Sequence, residues 1–140
     1  MNEIMQFAQE NLLLSSAWLT VAILLGVTQF RLMAVGAKSV SSQILTNLVN
    51  RERGVVVDIR PQADFNKGHI HGAINIPLSK VKDSTKELEK YKNTPIIMVC
   101  TNGISVSSAC STLQKAGMEQ VYKLKGGMTS WVGDNLPVVK

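Results

Sequence analysis

The feature that most constrains this chain is a run of nineteen residues without a charge, Leu12 to Phe30 (LLLSSAWLTVAILLGVTQF), closed off by Glu10 on one side and Arg31 on the other. As an α-helix it would measure about 28 Å, close to the roughly 30 Å of hydrocarbon in a bilayer. The run therefore predicts one transmembrane helix, with the lipid bilayer as its partner. A helix buried in a protein core would rarely stay uncharged on every side over this length. A cleaved signal peptide is the other competing reading, since Val35-Gly36-Ala37 offers small residues for cleavage. Against it, the preceding segment carries Glu3 and Glu10 but no Lys or Arg, and the run exceeds an ordinary signal core.

Lys and Arg are retained on the cytoplasmic side of a membrane, and here they follow the run. Residues 1–30 hold two acidic and no basic side chains; residues 31–140 hold fifteen basic and eight acidic, a net of +7 against +5 for the whole chain. The expected topology is single-pass in a bacterial inner (cytoplasmic) membrane, with the N-terminus outside and the larger part in the cytoplasm. The basic excess is spread out, has no aromatic-interleaved patch and lies next to an anionic leaflet, so it calls for no nucleic-acid partner.

The expected organisation is a short N-terminal segment (1–11), a transmembrane helix (12–30), a juxtamembrane linker (31–39) and one domain (40–140). So short a linker keeps the domain close to the bilayer. Within the domain, SQILTNLV (Ser42 to Val49) reads as a short helix capped by Ser41 or Ser42, and GVVVDI as a strand. A loop leads to a short strand at Ala73 to Ile76, and KDSTKELEKYKN reads as an exposed charged helix. Then come the buried strand PIIMVC, a helix from Ser105 to Ala116, the strand QVYKLK and, after Gly126-Gly127, a helical turn with Trp131. Alternating strands and helices predict an α/β fold whose mostly parallel sheet is covered on both faces.

Two cysteines make no disulfide framework, and a cytoplasmic setting keeps them reduced. Cys110 shares a helical face with Val106, Ala109, Leu113 and Ala116 and is expected in the core. Cys100 stands at the carboxyl end of a strand, where ligands bind in parallel sheets, with a helix starting just beyond. Gly103 lets the loop curl so that the amides of Thr101, Asn102, Gly103, Ile104 and Ser105 can converge, and the helix N-terminus adds its positive dipole end. Such an anion cradle favours negative charge on a sulfur at its floor, so the nucleophile needs no neighbouring base.

The stretch VVVDIRPQADFNKGHIHGAINIPLS, Val55 to Ser79, resembles the rhodanese-homology signature: a strand ending in Asp-x-Arg, an acidic-aromatic pair, Gly-His-Ile, then Gly-Ala-x-Asn-Ile-Pro. Cys100 to Ser105 (CTNGIS) is similar to the six-residue rhodanese loop, and LKGGMTSW to the family's closing Gly-Gly-x-x-x-Trp. The likeness runs from about Val40 to Pro137, and with one helix in front the chain resembles the membrane-anchored, single-domain rhodanese-like proteins of bacteria. The resemblance implies a rhodanese-like three-layer fold and sulfurtransferase chemistry of the thiosulfate:cyanide type. Cys100 is then the catalytic residue, carrying sulfane sulfur as a persulfide, and the loop amides bind the substrate. The donor would be a small anion or a protein persulfide, with a thiol or other thiophile as acceptor. Related phosphatases have a longer loop and an arginine six positions after the cysteine, where this chain has Val106, so phosphate-ester hydrolysis is not expected. The loop also lacks the Arg or Lys of many rhodaneses, which predicts weak use of thiosulfate.

Asp58 and Arg60 are expected to form an ion pair that fixes the turn before Gly68-His69, a structural second shell to which His69 also belongs. His69 and His71 lack a third ligand for zinc, so no metal and no cofactor is expected. The alternative function is a rhodanese-fold binding module with an idle thiol, recruiting partner membrane proteins at the inner membrane; the uncharged loop and the anchor favour it.

Overall fold

A computed structural model describes residues 11–34 and 36–140, which fall into two units, one up to residue 34 and the other Gly36–Lys140. Among the described residues the first unit is one helix, α1, Leu12–Ala34. Its window Leu12–Gln29 has a mean hydropathy of 1.8 with none of it buried, so it is long and apolar enough to cross a membrane. Three of its hydroxyls bond inside the helix: Ser16 Oγ donates to Leu13 O, Thr20 Oγ1 to Ser16 O and Thr28 Oγ1 to Leu24 O, at 2.8–2.9 Å. Such internal bonding is what an apolar solvent demands of polar groups. The helix extends beyond Phe30 into the stretch 31–39 expected as a linker.

The second unit is built on five strands: β1 Lys38–Val40, β2 Val55–Asp58, β3 Ile74–Asn75, β4 Ile96–Val99 and β5 Val121–Leu124. They lie in the order β1-β5-β4-β2-β3, and every pairing is parallel. β1 was not expected. It takes up the last residues of the presumed linker, and its Val40, with Ala37 just before it, is buried. Three residues are too few to show a period of two, so β1 depends on β5 to exist.

Residues of β4 are buried on both sides. Ile96, Met98 and Cys100 pack in one cluster with Val106, Ala109, Cys110 and Leu113 of α5 (Val106–Lys115). Ile97 and Val99 pack in the other, with Leu45 and Leu48 of α2 (Ser42–Glu52) and Met128 and Trp131 of α6 (Gly127–Gly133). Each buried Val, Leu, Ile or Met among them contributes about 1.5–3 kcal/mol by leaving water. Ser41 is the cap of α2, its hydroxyl accepting from Ile44 N at 3.4 Å.

Two connections differ from expectation. The loop after β2 contains a helix, α3 (Gln62–Lys67), starting behind Pro61 and ending at Gly68; it buries no residue, so no apolar period announced it. The expected charged helix is reduced to a short α4 (Thr85–Leu88) and a 3₁₀ turn Glu89–Tyr91, with a further 3₁₀ turn, Leu78–Lys80, before it. Only Val81 and Leu88 are buried there, too few anchors to hold a continuous helix of that length.

Candidate active site

β4 runs in parallel register beside β2, with Val99 opposite Asp58, and Ile59 N donates to Val99 O at 2.9 Å. This pairing sets Cys100 and the Asp58–Arg60 turn side by side at the carboxyl edge of the sheet. Cys100 is nearly buried, at 5% exposure, and its Sγ accepts the Gly103 N–H at 2.9 Å. Gly103 has φ +84°, and a Cβ on it would lie 3.1 Å from Gly126 N. Glycine is therefore needed here both for the turn and for the close approach.

The loop is held from behind by α6. Met128 N donates to Cys100 O at 2.8 Å, and Thr129 gives both its N–H (3.0 Å) and its hydroxyl (2.9 Å) to Thr101 O. With the loop carbonyls turned toward α6, its amides are left for the opposite side. Among the described residues no hydrogen bond takes up the N–H of Thr101, Asn102 or Ser105. The Ile104 N–H differs from expectation, being accepted by Asn102 Oδ1 at 3.2 Å, so it is occupied within the loop. Ser105 stands at the cap position of α5, yet its side chain makes no capping bond.

A cavity of about 530 Å³ opens at Cys100, lined by Thr101, Asn102 and Ser105 of its loop together with Ile59, Arg60, Pro61, Pro77, Leu78 and Ser79. Leu78, which lines it, is 42% exposed, and Ile104 of the Cys100 loop is 76% exposed. Asp58 is buried and grips Arg60 through both carboxylate oxygens at 2.6–3.0 Å, while Arg60 Nη2 also donates to Gly68 O at 2.8 Å. Asn75 Nδ2 donates to the carbonyls of Asp58 (3.1 Å) and Arg60 (3.0 Å), clamping the turn from β3. His69 lines no part of the cavity. Its Nδ1 lies 2.9 Å from Phe65 O, its ring stacks on Phe65, and its backbone bridges to Val139.

Cys110 is buried under α5 with Sγ 3.9 Å from Tyr122 O. Burial pushes its thiol up to about 12, with Lys123 pulling weakly the other way, so it stays protonated. The two cysteines therefore differ in kind: one faces an amide loop and a cavity, the other a dry interior. Sequence reasoning missed the roles of Thr129, Asn75 and Gly127 in holding the site; the adjacent pair Gly126-Gly127 was the one local signal of a close backbone approach.

A family model described as a rhodanese-like domain matches residues 41–134. Over 141 residues the chain is 41% identical to YibN of Escherichia coli K12, covering 100% of this chain and 99% of that protein. It is 36% identical over 94 residues to the thiosulfate sulfurtransferase GlpE of Pseudoalteromonas translucida, covering 67% of this chain and 88% of that one. Among solved structures, a rhodanese-related protein of Thermoplasma volcanium superposes with a TM-score of 0.66 at 26% identity, over 73% of this chain and 97% of its own.

Proposed function

The chain belongs to the rhodanese-like domain family, and we propose that it is a membrane-anchored sulfurtransferase carrying sulfane sulfur as a persulfide on Cys100. One observation carries this reading: Cys100 lines an open cavity and its sulfur accepts a loop amide, with further N–H groups of the same loop left unpaired. The relative named as a thiosulfate sulfurtransferase supports it.

In the reaction the Cys100 thiolate attacks the outer sulfur of thiosulfate. The S–S bond of the donor breaks, and sulfite leaves with its electron pair. The new Cys100–S–S⁻ persulfide keeps its terminal negative charge, which the loop amides stabilise. An acceptor thiolate, or cyanide, then attacks the terminal sulfur and takes it, and the Cys100 thiolate departs with the bonding pair. No step needs a cofactor, and the loop lacks a charged side chain, so thiosulfate is a weak donor.

α1 crosses the bacterial inner membrane with the N-terminus outside, and the domain works in the cytoplasm, because the basic side chains follow the apolar run. The exposed Ile104 and Leu78 favour a second reading, a module that docks partner membrane proteins with the thiol as bystander, since exposed apolar side chains suit a protein surface better than a small anion.

Intact-mass measurement after thiosulfate treatment tests the enzyme reading. The chain should gain one reducible sulfur, Cys100→Ser should abolish the gain, and Cys110→Ser should keep it. A chain that takes up no sulfur, or carries it on Cys110, overturns the proposal.

A further inference from the structure

The loop around Cys100 carries no cation, so a dianionic donor must find positive charge elsewhere. Of the residues lining the Cys100 cavity, Arg60 is the sole charged one among the described residues. Its side chain is only 10% exposed. Nε is spent on Asp58 and Nη2 on Asp58 and Gly68 O, whereas no hydrogen bond among the described residues uses Nη1. Gln114 Oε1 is the one side-chain N or O atom among them both buried and without a partner, so Nη1 keeps contact with solvent, and Arg60 lines the Cys100 cavity. A neighbouring cavity also touches Arg60, but there Asp64 and Lys67 are present and pair with each other at 3.2 Å.

We propose that Arg60 is the donor-binding cation of this site: Asp58 and Gly68 O fix its guanidinium, and Nη1 donates to the oxygens of a tetrahedral sulfur oxyanion held over Cys100. The inference rests on the sulfurtransferase reading and revises the purely structural role expected for the Asp58–Arg60 pair. The carboxylate that immobilises the guanidinium also offsets its charge, so recognition works through directed hydrogen bonds more than through a long-range field. A fork held on one side and open on the other is suited to a small oxyanion, and Arg60 lines the same cavity as Thr101, Asn102 and Ser105.

The test uses sulfate, which has the shape and charge of thiosulfate but no transferable sulfur. Alkylation of Cys100 by iodoacetamide is followed by peptide mass in the full chain in detergent, with sulfate replacing sodium chloride at constant ionic strength. Sulfate should protect Cys100 saturably. In Asp58→Asn/Arg60→Gln, which leaves no buried charge unpaired, the half-protecting concentration should rise roughly fivefold or more, each variant being measured against its own sulfate-free alkylation rate. Arg60→Lys keeps the charge but lacks the fork, so it should lose protection too, and it serves if the double variant does not fold. Equal protection in the variants, or none in the parent, overturns the proposal. Sulfur uptake from thiosulfate is read separately by intact mass. A chain that binds sulfate through Arg60 yet takes up no sulfur would sink the transferase reading alone.

Discussion

Gly127 lies against the carbonyl oxygen of Cys100 with no space for a side chain between them: a Cβ there would run into Cys100 O and come within 2.7 Å of Thr101 O. Its φ of +59° is itself a glycine conformation. Cys100 is thus positioned from behind by a residue 27 positions away, which allows α6 to approach until its amides bond the loop carbonyls.

Gly127→Ala should therefore cost about 2–4 kcal/mol, combining the left-handed penalty with overpacking. Gly133→Ala in the same helix meets nothing within 4 Å and should change stability by less than about 1 kcal/mol. Urea unfolding of the two variants compares them. Equal effects would mean that contact with the loop is not what holds Gly127.

The buried Cys110 gives stability a pH dependence whose sign is fixed. Its thiol is raised from an ordinary 9.0 to about 12, so the unfolded chain loses this proton first as pH rises. The contribution is whole below pH 9 and is lost from there up to about 12, at a slope approaching about 1.4 kcal/mol per unit. Denaturation midpoints of Cys110→Ala and the parent should converge as pH rises above 9. Parallel curves would show that the thiol is not desolvated.

Membrane attachment and domain folding should separate at the start of the second unit. The full chain should resist carbonate extraction, and a chain beginning at Gly36 should be soluble and fold cooperatively, because it keeps Ala37 and β1. A chain beginning at Ser41 lacks the strand that pairs with β5 and should be less stable by several kcal/mol. Thermal unfolding of the two fragments decides, and equal stability would reduce β1 to a surface attachment.

Thr101→Arg adds a cation at an exposed position on the cavity wall. If donor binding limits the reaction, kcat/KM for thiosulfate should rise roughly fivefold at low ionic strength and fall back as salt screens the charge. Unchanged kcat/KM, with Cys100 still open to alkylation, would point to a protein persulfide delivered by docking.

Local pattern alone determined much of this protein. The uncharged run Leu12 to Phe30 dictates a helix with apolar surface all round, and the buried run before Cys100 dictates a strand that places a thiol at a sheet edge. Cys110 was legible as core because helical periodicity reports burial directly. What only the tertiary structure decided are the relations across the sheet. The parallel register that sets Asp58 opposite Val99 brings Arg60 to the wall of the Cys100 cavity, although 40 residues separate them in the chain. Thr129 and Gly127 reach the loop from α6, and Asn75 clamps the turn from a strand of two residues. β1 and α3 escaped notice for the same reason. Periodicity encodes which face of an element is buried, but a three-residue strand and a helix with no buried residue have too little face to encode, and their partners are chosen by strand order and register.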